Sequence, residues 1–315
     1  MKTVPVLTVG FCPSWDITCR GAGLAWGAHL RLDSQTARPA GKALNVARTL
    51  GRLGVNTVAA GFWGDADYPQ LRAALAAEGL PVVPRLTVVP GRTRQNITLI
   101  DTRRGREMHL RAECRLATAA ALKRLTSDLG RMAVRNRTVV FAGSMPEAFL
   151  NDCLLLLRRL RERGARLVVD TSGPALKQAV RLGGLALIKP NVEELRELLG
   201  RPVADVPGAL AAAARPLCVA ADAVLVSRGA AGALVVTRSG AWACRAAAPR
   251  RRAINTVGCG DALLAGFLAA WDAGPRAALE LGVRVAAARA WTGGGQEMNP
   301  GNAAAVRIVS RPISA

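Results

Sequence analysis

One aspartate in this chain of 315 residues is the best candidate for a group that accepts a proton beside a phosphate. Asp261 follows a turn formed by Gly258, Cys259 and Gly260 and precedes an apolar helix. The two glycines allow the backbone to turn its N–H groups inward, and the helix start adds a positive dipole end, so a phosphate or a developing oxyanion would be bound there. The Asp261 carboxylate would then accept a proton from an attacking hydroxyl. The competing interpretation is an N-cap aspartate after an ordinary turn.

The helix predicted within residues 38–55 begins with a second set of polar residues. Apolar residues recur every three positions and predict one buried face of this helix, made of Leu44, Ala47, Leu50 and Leu53. A glycine then ends the helix. Gly41 would let a substrate approach the backbone closely, Lys42 supplies a positive charge, and Asn45 can donate and accept hydrogen bonds toward a hydroxyl. The alternative is an ordinary helix start with its polar side chains in solvent.

Alternating strands and helices must position these residues. Residues 3–9 are predicted as a first buried strand, and from residue 118 onward strand and helix alternate regularly. This order predicts a mainly parallel, twisted sheet covered on both faces, with ligands at the carboxyl ends of its strands. Residues 28–38 and a hairpin turning near Thr102–Gly105 fall outside the alternation and predict a small β lid. We expect one α/β domain over residues 1–315, with lid strands inserted at about 12–38 and 90–112. The helix after Asp261 is predicted to bury one face made of Leu263, Leu264, Phe267, Leu268 and Trp271.

Composition limits the classes of protein to which this chain can belong. It has 43 basic and 22 acidic residues, a net charge of +21, but the arginines are scattered and aromatic residues make up only 4%, so specific nucleic-acid binding is not expected. No run of 18 apolar residues predicts a membrane span, and the first residues lack the pattern of a signal peptide. The seven cysteines form no Cys-x-x-Cys pair, which favours reduced thiols in a cytoplasmic protein over disulfides or a zinc site.

Two longer segments resemble the signatures of one enzyme family. Residues 255–261, NTVGCGD, resemble the DTxGAGD signature of the ribokinase-like (PfkB) sugar kinases, with Asn255 and Cys259 in place of the usual Asp and Ala. Residues 40–54, AGKALNVARTLGRLG, resemble the GGKGxNVAxxLxxLG signature of the same family. The chain has neither a P-loop nor a G-x-G-x-x-G after its first strand, which disfavours P-loop ATPases and Rossmann dehydrogenases. The resemblance implies a three-layer αβα ribokinase-like fold with a small β-sheet lid.

The resemblance also implies a site for a sugar phosphate. Asp16 matches the aspartate of an N-P-x-x-D-like segment that binds sugar hydroxyls, although an isolated aspartate is often only a turn residue. In GRTRQN, Arg94 matches an arginine that binds the acceptor's own phosphate, for which a guanidinium is well suited; the alternative is a solvated strand face. Ser144 in AGSMP matches a serine whose hydroxyl contacts the substrate phosphate. The predicted substrate-binding residues are therefore Asp16, Gly41, Lys42, Asn45, Arg94 and Ser144.

The nucleotide side is implied at later strand ends. KPNVEEL matches the family's K-P-N-x-x-E pattern, so Lys189 and Asn191 are expected to bind ATP, while Glu194 orients Mg²⁺ through water. The alternative is that Asn191 is an N-cap before an exposed acidic helix turn. Asp170 also ends a strand, where an aspartate is often only a cap. The segment SRGAAGAL resembles the nucleotide-side S-x-G-x-x-G, which contributes Ser227, Gly229 and Gly232.

Together these matches are most similar to the 1-phosphofructokinase and tagatose-6-phosphate kinase branch. The resemblance implies transfer of the ATP γ-phosphoryl group to a hydroxyl of a phosphorylated ketohexose, with Asp261 as base, the N–H groups of residues 258–260 around the transferred charge, and Mg²⁺ between the phosphates. The family also implies a homodimer formed through the lid. Two alternatives remain: a kinase of an uncharged sugar or nucleoside, and a weakly catalytic regulatory protein that binds nucleotide or sugar phosphate, in keeping with the departures Ala40 and Asn255.

Overall fold

The computed structural model describes residues 5–247, 256–292 and 298–313, which form two β-sheets and their covering helices. In chain order the strands are β1 Val6–Gly10, β2 Ser14–Gly21, β3 Ser34–Ala40, β4 Thr57–Gly64, β5 Val82–Pro84, β6 Thr87–Val89, β7 Gln95–Asp101, β8 Arg106–Arg111, β9 Thr138–Ala142, β10 Arg166–Asp170, β11 Leu185–Ile188, β12 Ala221–Ser227, β13 Ala233–Thr237, β14 Ala241–Ala246 and β15 Ile308–Pro312. The α-helices are α1 Lys42–Arg52, α2 Tyr68–Glu78, α3 Ala119–Gly130, α4 Leu150–Glu162, α5 Gly173–Leu182, α6 Val192–Leu199, α7 Pro207–Ala214, α8 Cys259–Ala269, α9 Pro275–Ala290 and α10 Pro300–Ala304.

The larger sheet contains eleven strands in the order β15-β14-β13-β12-β11-β10-β9-β1-β4-β5, with β6 pairing β4. Every pair from β12 through β1 to β5 and β6 is parallel, whereas β12 to β15 pair antiparallel. The central strands are β-branched and apolar because both of their faces are covered by helices. The predicted mainly parallel α/β sheet is confirmed.

Each face of this sheet packs against its own set of helices. Along β9, Val139 and Phe141 contribute to the core under α3 to α7, while Val140 and Ala142 contribute to the core under α1, α8 and α9. This alternation follows from the two-residue period of a strand. The result is the predicted three-layer arrangement, with the sheet between two helical layers. Within the described residues, no helix is both long and apolar enough to cross a bilayer.

Two details of the helix predictions are wrong. Leu53 does not lie in α1; it is the residue at the helix C-terminus, half-buried, and Gly54 follows it with φ +78°. In α8 the buried residues run without interruption from Asp261 to Phe267, so the helix is buried on all sides rather than on one face. The reason is its position between α1 and α9, both of which contact it closely.

The smaller sheet has the order β3-β2-β7-β8 and forms the lid over the carboxyl ends of the larger one. The predicted hairpin is β7–β8, with its turn at residues 102–105. The strand predicted over residues 28–38 instead begins at Ser34 and extends to Ala40. The alternative interpretation of Asp16 as a turn residue is wrong, because it lies within β2, opposite Asn96 of β7. Its side chain therefore projects from a face of the sheet rather than from a loop.

A buried aspartate fixes the lid to the larger sheet. Asp67 accepts hydrogen bonds from the Trp15 indole N–H on β2 and from the Thr93 backbone N–H before β7. The Trp15 ring also packs edge-on against the buried Trp63 at a centroid distance of 5.6 Å. Thr93 in turn accepts a hydrogen bond from the backbone N–H of Gly64 at the end of β4. These contacts hold the start of β2 and the segment before β7 at one edge of the site.

Candidate active site

A cavity of about 570 Å³ lies between the lid and the carboxyl ends of the larger sheet. This is where a mainly parallel sheet is expected to bind ligands. Most of the residues singled out in the sequence line it: Asp16, Gly41, Lys42, Asn45, Arg94, Ser144, Lys189, Asn191, Glu194, Ser227, Gly258, Gly260 and Asp261. Cys259, Gly229 and Gly232 are not among its lining residues. Segments far apart in the sequence therefore converge on one site.

The turn before α8 places Asp261 at the base of this cavity. Gly258 is the N-cap and has φ +79°, a left-handed conformation that a glycine adopts without steric cost. Asp261 is therefore the third residue of the helix, and its side chain makes no capping hydrogen bond. The alternative interpretation of Asp261 as an N-cap is wrong. The first turn of the helix instead presents the carboxylate toward Asn45 and the cavity.

The Asp261 carboxylate is 6% exposed and accepts a hydrogen bond of 2.8 Å from the Asn45 side-chain amide. Burial and the negative charge of Asp170 raise the pKa of Asp261 to about 6, against the opposing effects of Asn45, Lys42 and Lys189. A carboxyl group with this pKa is mostly ionised at neutral pH, yet it is a stronger base than an ordinary aspartate. Its environment suits a proton acceptor.

Asp170 is the charge centre beneath the cavity, not a simple strand cap. Its side chain is fully buried at the end of β10, and its Oδ1 atom forms ion pairs with Lys189 Nζ at 3.2 Å and Lys42 Nζ at 3.3 Å. Burial disfavours the charge of Lys42, but Asp170, Asp261 and Glu194 outweigh this effect and raise its pKa. The second oxygen, Oδ2, is buried and has no hydrogen-bond partner among the residues that the structure describes. Asp170 thus holds two ammonium groups at the cavity floor.

One backbone N–H group of the predicted anion-binding turn already has a hydrogen-bond partner within the protein. The Cys259 backbone N–H donates to the Thr256 carbonyl oxygen at 3.4 Å, a long bond with which a ligand would compete. Gly260 lies near the positive charge of Lys189, since a Cβ atom at Gly260 would be 3.6 Å from Nζ. Asn255, the first residue of the NTVGCGD segment, lies outside the described residues.

On the lid side, the geometry holds Asp16 firmly and gives Arg94 a structural role. The Asp16 Oδ1 atom accepts hydrogen bonds of 3.0 Å from both Ser14 and Asn96. The Arg94 guanidinium donates to the backbone carbonyl oxygens of Ala112, Pro13 and Cys12 at 2.9, 3.2 and 3.4 Å. Arg94 therefore links the beginning and the end of the lid while its side chain also lines the cavity.

Gly41 allows the two lid connections to approach closely. It is the residue before α1, with φ +111°, and a Cβ atom there would lie 3.1 Å from the Pro13 Cα atom. A side chain would therefore be strained by both the backbone conformation and the space. The group that approaches Gly41 closely is thus the backbone of Pro13, at the edge of the same cavity.

Asn191 and Glu194 form a reciprocal capping box at the start of α6. Asn191 accepts from the Glu194 backbone N–H and Glu194 accepts from the Asn191 backbone N–H, both at 2.8 Å. The interpretation of Asn191 as an N-cap is therefore confirmed. Both residues nevertheless line the cavity, and the negative charge of Glu194 lies near enough to Lys42 to contribute to its raised pKa.

The two glycines after Ser227 lie outside the cavity lining. A Cβ atom on Gly232 would lie 2.1 Å from the Cys244 carbonyl oxygen, so glycine is required there for the close approach of β14. Gly229 begins a short 3₁₀ helix, 229–231, with φ +54°. Ser227, by contrast, lines the cavity and forms an isolated parallel β-bridge with Asn191.

The donors for a divalent cation are few. Across residues 5–247, 256–292 and 298–313, no cluster of three or more His, Cys, Asp and Glu side chains could hold a metal ion. Glu194 at the cavity wall and the unpartnered Oδ2 of Asp170 beneath it are carboxylate oxygens. This set fits Mg²⁺, which is commonly bound by one or two carboxylates together with water and substrate phosphates. It does not fit a cation held by protein ligands alone.

Arg289 is a site residue that the sequence interpretation missed. It is in the last turn of α9, and a Cβ atom on Gly258 would lie 3.7 Å from its Nε atom. Its Nη1 atom is buried and has no hydrogen-bond partner within residues 5–247, 256–292 and 298–313. Arg289 also lines a neighbouring cavity of about 430 Å³, which shares Asp16, Asn45 and Gly258 with the first. No local pattern distinguishes this arginine from the many others in the chain.

Comparison with known proteins finds similarity to carbohydrate kinases over most of the chain. Residues 15–302 match the family described as pfkB family carbohydrate kinase. The chain is 31% identical over 274 residues to a 1-phosphofructokinase of Rhodobacter capsulatus, covering 84% of this chain and 83% of that protein. It is 29% identical over 265 residues to a 1-phosphofructokinase of Bacillus subtilis, covering 84% of each. Phosphofructokinase-2 of Escherichia coli, solved in complex with substrates and products, superposes with a TM-score of 0.88 at 25% identity, covering 96% of this chain and 97% of that one.

Proposed function

Because the chain belongs to the PfkB family of carbohydrate kinases and is a sugar-phosphate kinase, we propose that it transfers the γ-phosphoryl group of ATP to a hydroxyl of a phosphorylated ketohexose of the fructose-1-phosphate type. The observation that carries this proposal is the convergence of a buried, basic carboxylate and two lysines on one cavity. Asp261 provides the carboxylate, and Lys42 and Lys189 provide the positive charge. Two bacterial relatives named 1-phosphofructokinase support the choice of acceptor.

In this proposal Asp261 accepts the proton of the attacking hydroxyl. The hydrogen bond from Asn45 orients the carboxylate, and its pKa of about 6 gives it the basicity for the transfer at neutral pH. Asp16, held by Ser14 and Asn96, binds the sugar hydroxyls from the lid side. The hydroxyl to be phosphorylated would then lie between the lid and the start of α8.

The positive groups on the cavity floor would neutralise charge on the transferred phosphoryl group. Lys42 and Lys189 are held on one oxygen of Asp170, so their ammonium groups are positioned before the substrates bind. The backbone N–H groups of Gly258 and Gly260 at the start of α8 add a preorganised positive potential. Phosphoryl transfer depends mainly on such positioning and charge neutralisation.

ATP and Mg²⁺ are the proposed cofactors. Lys189, Asn191 and Ser227 lie on the side of the cavity formed by β11, α6 and β12, where the nucleotide is expected. Glu194 would hold Mg²⁺, directly or through water, and the ion would neutralise charge on the nucleotide phosphates. Gly229 and Gly232, which follow Ser227, remain proposed nucleotide-binding residues at this edge.

We assign the acceptor's own phosphate to Arg94, together with Lys42 and Ser144. A guanidinium has five N–H groups, and the three bonds to carbonyl oxygens leave others for a phosphate. Ser144 follows β9 and is exposed to the same cavity. An uncharged sugar would offer the Arg94 guanidinium no anionic partner.

A second copy of the chain is the proposed partner of the lid. Met108 precedes His109 on β8, and because successive side chains of a strand alternate, Met108 lies on the sheet face opposite the polar, cavity-facing one. Met108 is exposed, as is Trp26, which is 94% exposed in the loop between β2 and β3. Light scattering on Met108→Asp, compared with wild type, tests this: a dimer that persists in the variant contradicts the proposal.

The cytoplasmic location expected from the sequence stays a prediction.

The decisive experiment is an ADP-release assay with fructose 1-phosphate, fructose 6-phosphate, tagatose 6-phosphate and fructose. We expect turnover with a phosphorylated ketohexose and little with fructose. Asp261→Asn should lower turnover by on the order of 10²–10⁴-fold while substrates still bind, and Asp272→Asn, an exposed control, should not. Turnover with fructose alone would favour a kinase of uncharged sugars. Ligand-dependent thermal shifts without ADP formation would favour a regulatory binding protein.

A further inference from the structure

Cys12 and Cys114 lie on two of the four connections that join the lid to the larger sheet. These connections are residues 11–13 before β2, residue 41 after β3, residues 90–94 before β7, and residues 112–118 after β8. The Cys114 Sγ atom donates a weak hydrogen bond of 3.7 Å to the carbonyl oxygen of Phe11, the residue before Cys12, and interaction between the two thiols shifts the pKa of each. Two connections far apart in the sequence thus bring two thiols together.

The two thiols differ in reactivity. The interaction with the Cys12 thiol, the backbone N–H groups of residues 116 and 117 and the charge of Arg94 lower the pKa of Cys114 to about 6 against the opposing effect of burial. The same interaction and burial raise the pKa of Cys12. Cys114 is also partly exposed, so its lowered pKa favours reaction as a thiolate. Burial instead raises the thiol pKa of Cys153, Cys218, Cys244 and Cys259.

We propose that Cys12 and Cys114 form a modifiable dithiol site at the lid hinge, which takes hydrogen peroxide as its oxidant and closes to a disulfide. The Cys114 thiolate attacks one peroxide oxygen, the O–O bond breaks, and a sulfenic acid forms with release of hydroxide, which takes up a proton to become water. The Cys12 sulfur then attacks the sulfenic sulfur, its proton leaves with the departing oxygen as a second water, and the S–S bond forms. Both sulfurs are oxidised and the peroxide is reduced.

The disulfide would change how the lid is attached. Arg94 already donates to the carbonyl oxygens of Cys12 and Pro13 on one connection and of Ala112 on the other, so the guanidinium lies across the same two segments. A covalent bond there would replace an adjustable contact with a fixed one. Lid movement normally accompanies substrate entry and product release. This consequence rests on the proposed kinase function, whereas formation of the bond does not.

The site is tested first without substrate. The purified full-length protein is treated with hydrogen peroxide, and free thiols are counted by colorimetric titration before and after. Peptide mapping should find Cys12 joined to Cys114, with loss of two hydrogen atoms from the pair, and dithiothreitol should reverse it. Cys114→Ser should lose no thiol pair under the same treatment, while Cys244→Ser, a buried control on β14, should behave like wild type. No disulfide, or one joining Cys12 to the neighbouring Cys153, overturns the proposal.

The kinase assay then tests the hinge. Oxidised wild type should lose turnover by about tenfold or more and regain it with dithiothreitol, because the lid can no longer move freely. Cys114→Ser should keep its turnover through peroxide treatment. Unchanged turnover in a fully disulfide-bonded sample overturns the effect on the lid. If the reduced protein phosphorylates no sugar phosphate, the proposed function fails, while thiol counting and mapping still decide the dithiol site.

Discussion

The side-chain amide of Asn45 donates a hydrogen bond of 2.8 Å to the Asp261 carboxylate, across 216 residues of sequence. The bond joins the first turn of α1 to the first turn of α8, and both helices begin at the same cavity. It favours the ionised carboxylate, but burial and the charge of Asp170 have the larger effect, so the pKa of Asp261 is raised. The carboxylate is thereby oriented and made more basic by its surroundings.

The pH profile of the reaction should report this raised pKa. With Asp261 as base, kcat/KM should fall tenfold per pH unit below about pH 6, because the protonated carboxyl cannot accept a proton. A profile of kcat/KM from pH 4.5 to 8.5 with a saturating second substrate measures it. A limb near pH 4, the range of an ordinary aspartate, would contradict the buried environment described for Asp261.

Substitution of two neighbours of Asp261 should shift the acid limb of the kcat/KM profile in opposite directions. Asn45→Ala removes a donor that favours the ionised carboxylate, so the limb should move to higher pH. Asp170→Asn removes a negative charge that disfavours it, so the limb should move to lower pH, alongside a loss of turnover as Lys42 and Lys189 lose their shared partner. Asp152→Asn, on the exposed side of α4, is the control. Limbs that move together would mean that both substitutions act through general disruption.

Asp261 should also lower the stability of the folded protein at neutral pH. Its folded pKa of about 6 lies above the unfolded value, so stability is lost as pH rises from about 4 to about 6 and the loss persists above. Asp261→Asn should therefore raise Tm at pH 7.5. The corresponding increase in the free energy of unfolding is on the order of 2–3 kcal/mol at most, and the increase should be smaller at pH 4.5. Calorimetry at both pH values measures this, with Asp272→Asn as the exposed control. A lower Tm at pH 7.5 would contradict it.

The sequence predicts those parts of the site that depend on short segments at strand ends. Lys42, Asn45, Lys189 and Asp261 each lie next to a recognisable turn or helix start, and the carboxyl ends of parallel strands meet at one edge. The strand order of the larger sheet then brings these segments together. For this reason most of the predicted residues line one cavity, and predicting them required no knowledge of which strands pair.

Other features depend on long-range packing, which local patterns do not reveal. Asp170 resembles a strand cap in sequence, and its role follows only because α1 and the loop after β11 each place a lysine on it. The complete burial of α8 depends on the close approach of α1 and α9. Gly232 fits a nucleotide motif, yet its required close contact is with the backbone of β14. In each case the partner belongs to another helix, strand or loop.

Arg94 should combine a substrate-binding role with a structural one. Arg94→Ala removes a guanidinium that donates to carbonyl oxygens on both lid connections, so the KM for the sugar phosphate should rise by about tenfold or more and Tm should fall. The KM for ATP should change much less. Steady-state kinetics and thermal unfolding separate the two effects, with Arg92→Ala, the exposed arginine of the same motif, as control. Equal losses for both substrates would indicate structural damage alone.

Arg289 should assist the phosphoryl transfer from its position beside the start of α8. Its Nε atom lies near the Gly258 position, and its buried Nη1 atom has no hydrogen-bond partner in the described part of the chain, so a phosphate oxygen at the start of α8 would supply one. Arg289→Met should lower kcat/KM for ATP by on the order of 10–100-fold, because one charged donor to the phosphate is lost. Arg276→Met, at the exposed start of the same helix, is the matched control. Wild-type kinetics for Arg289→Met would show that this guanidinium does not contact the phosphates.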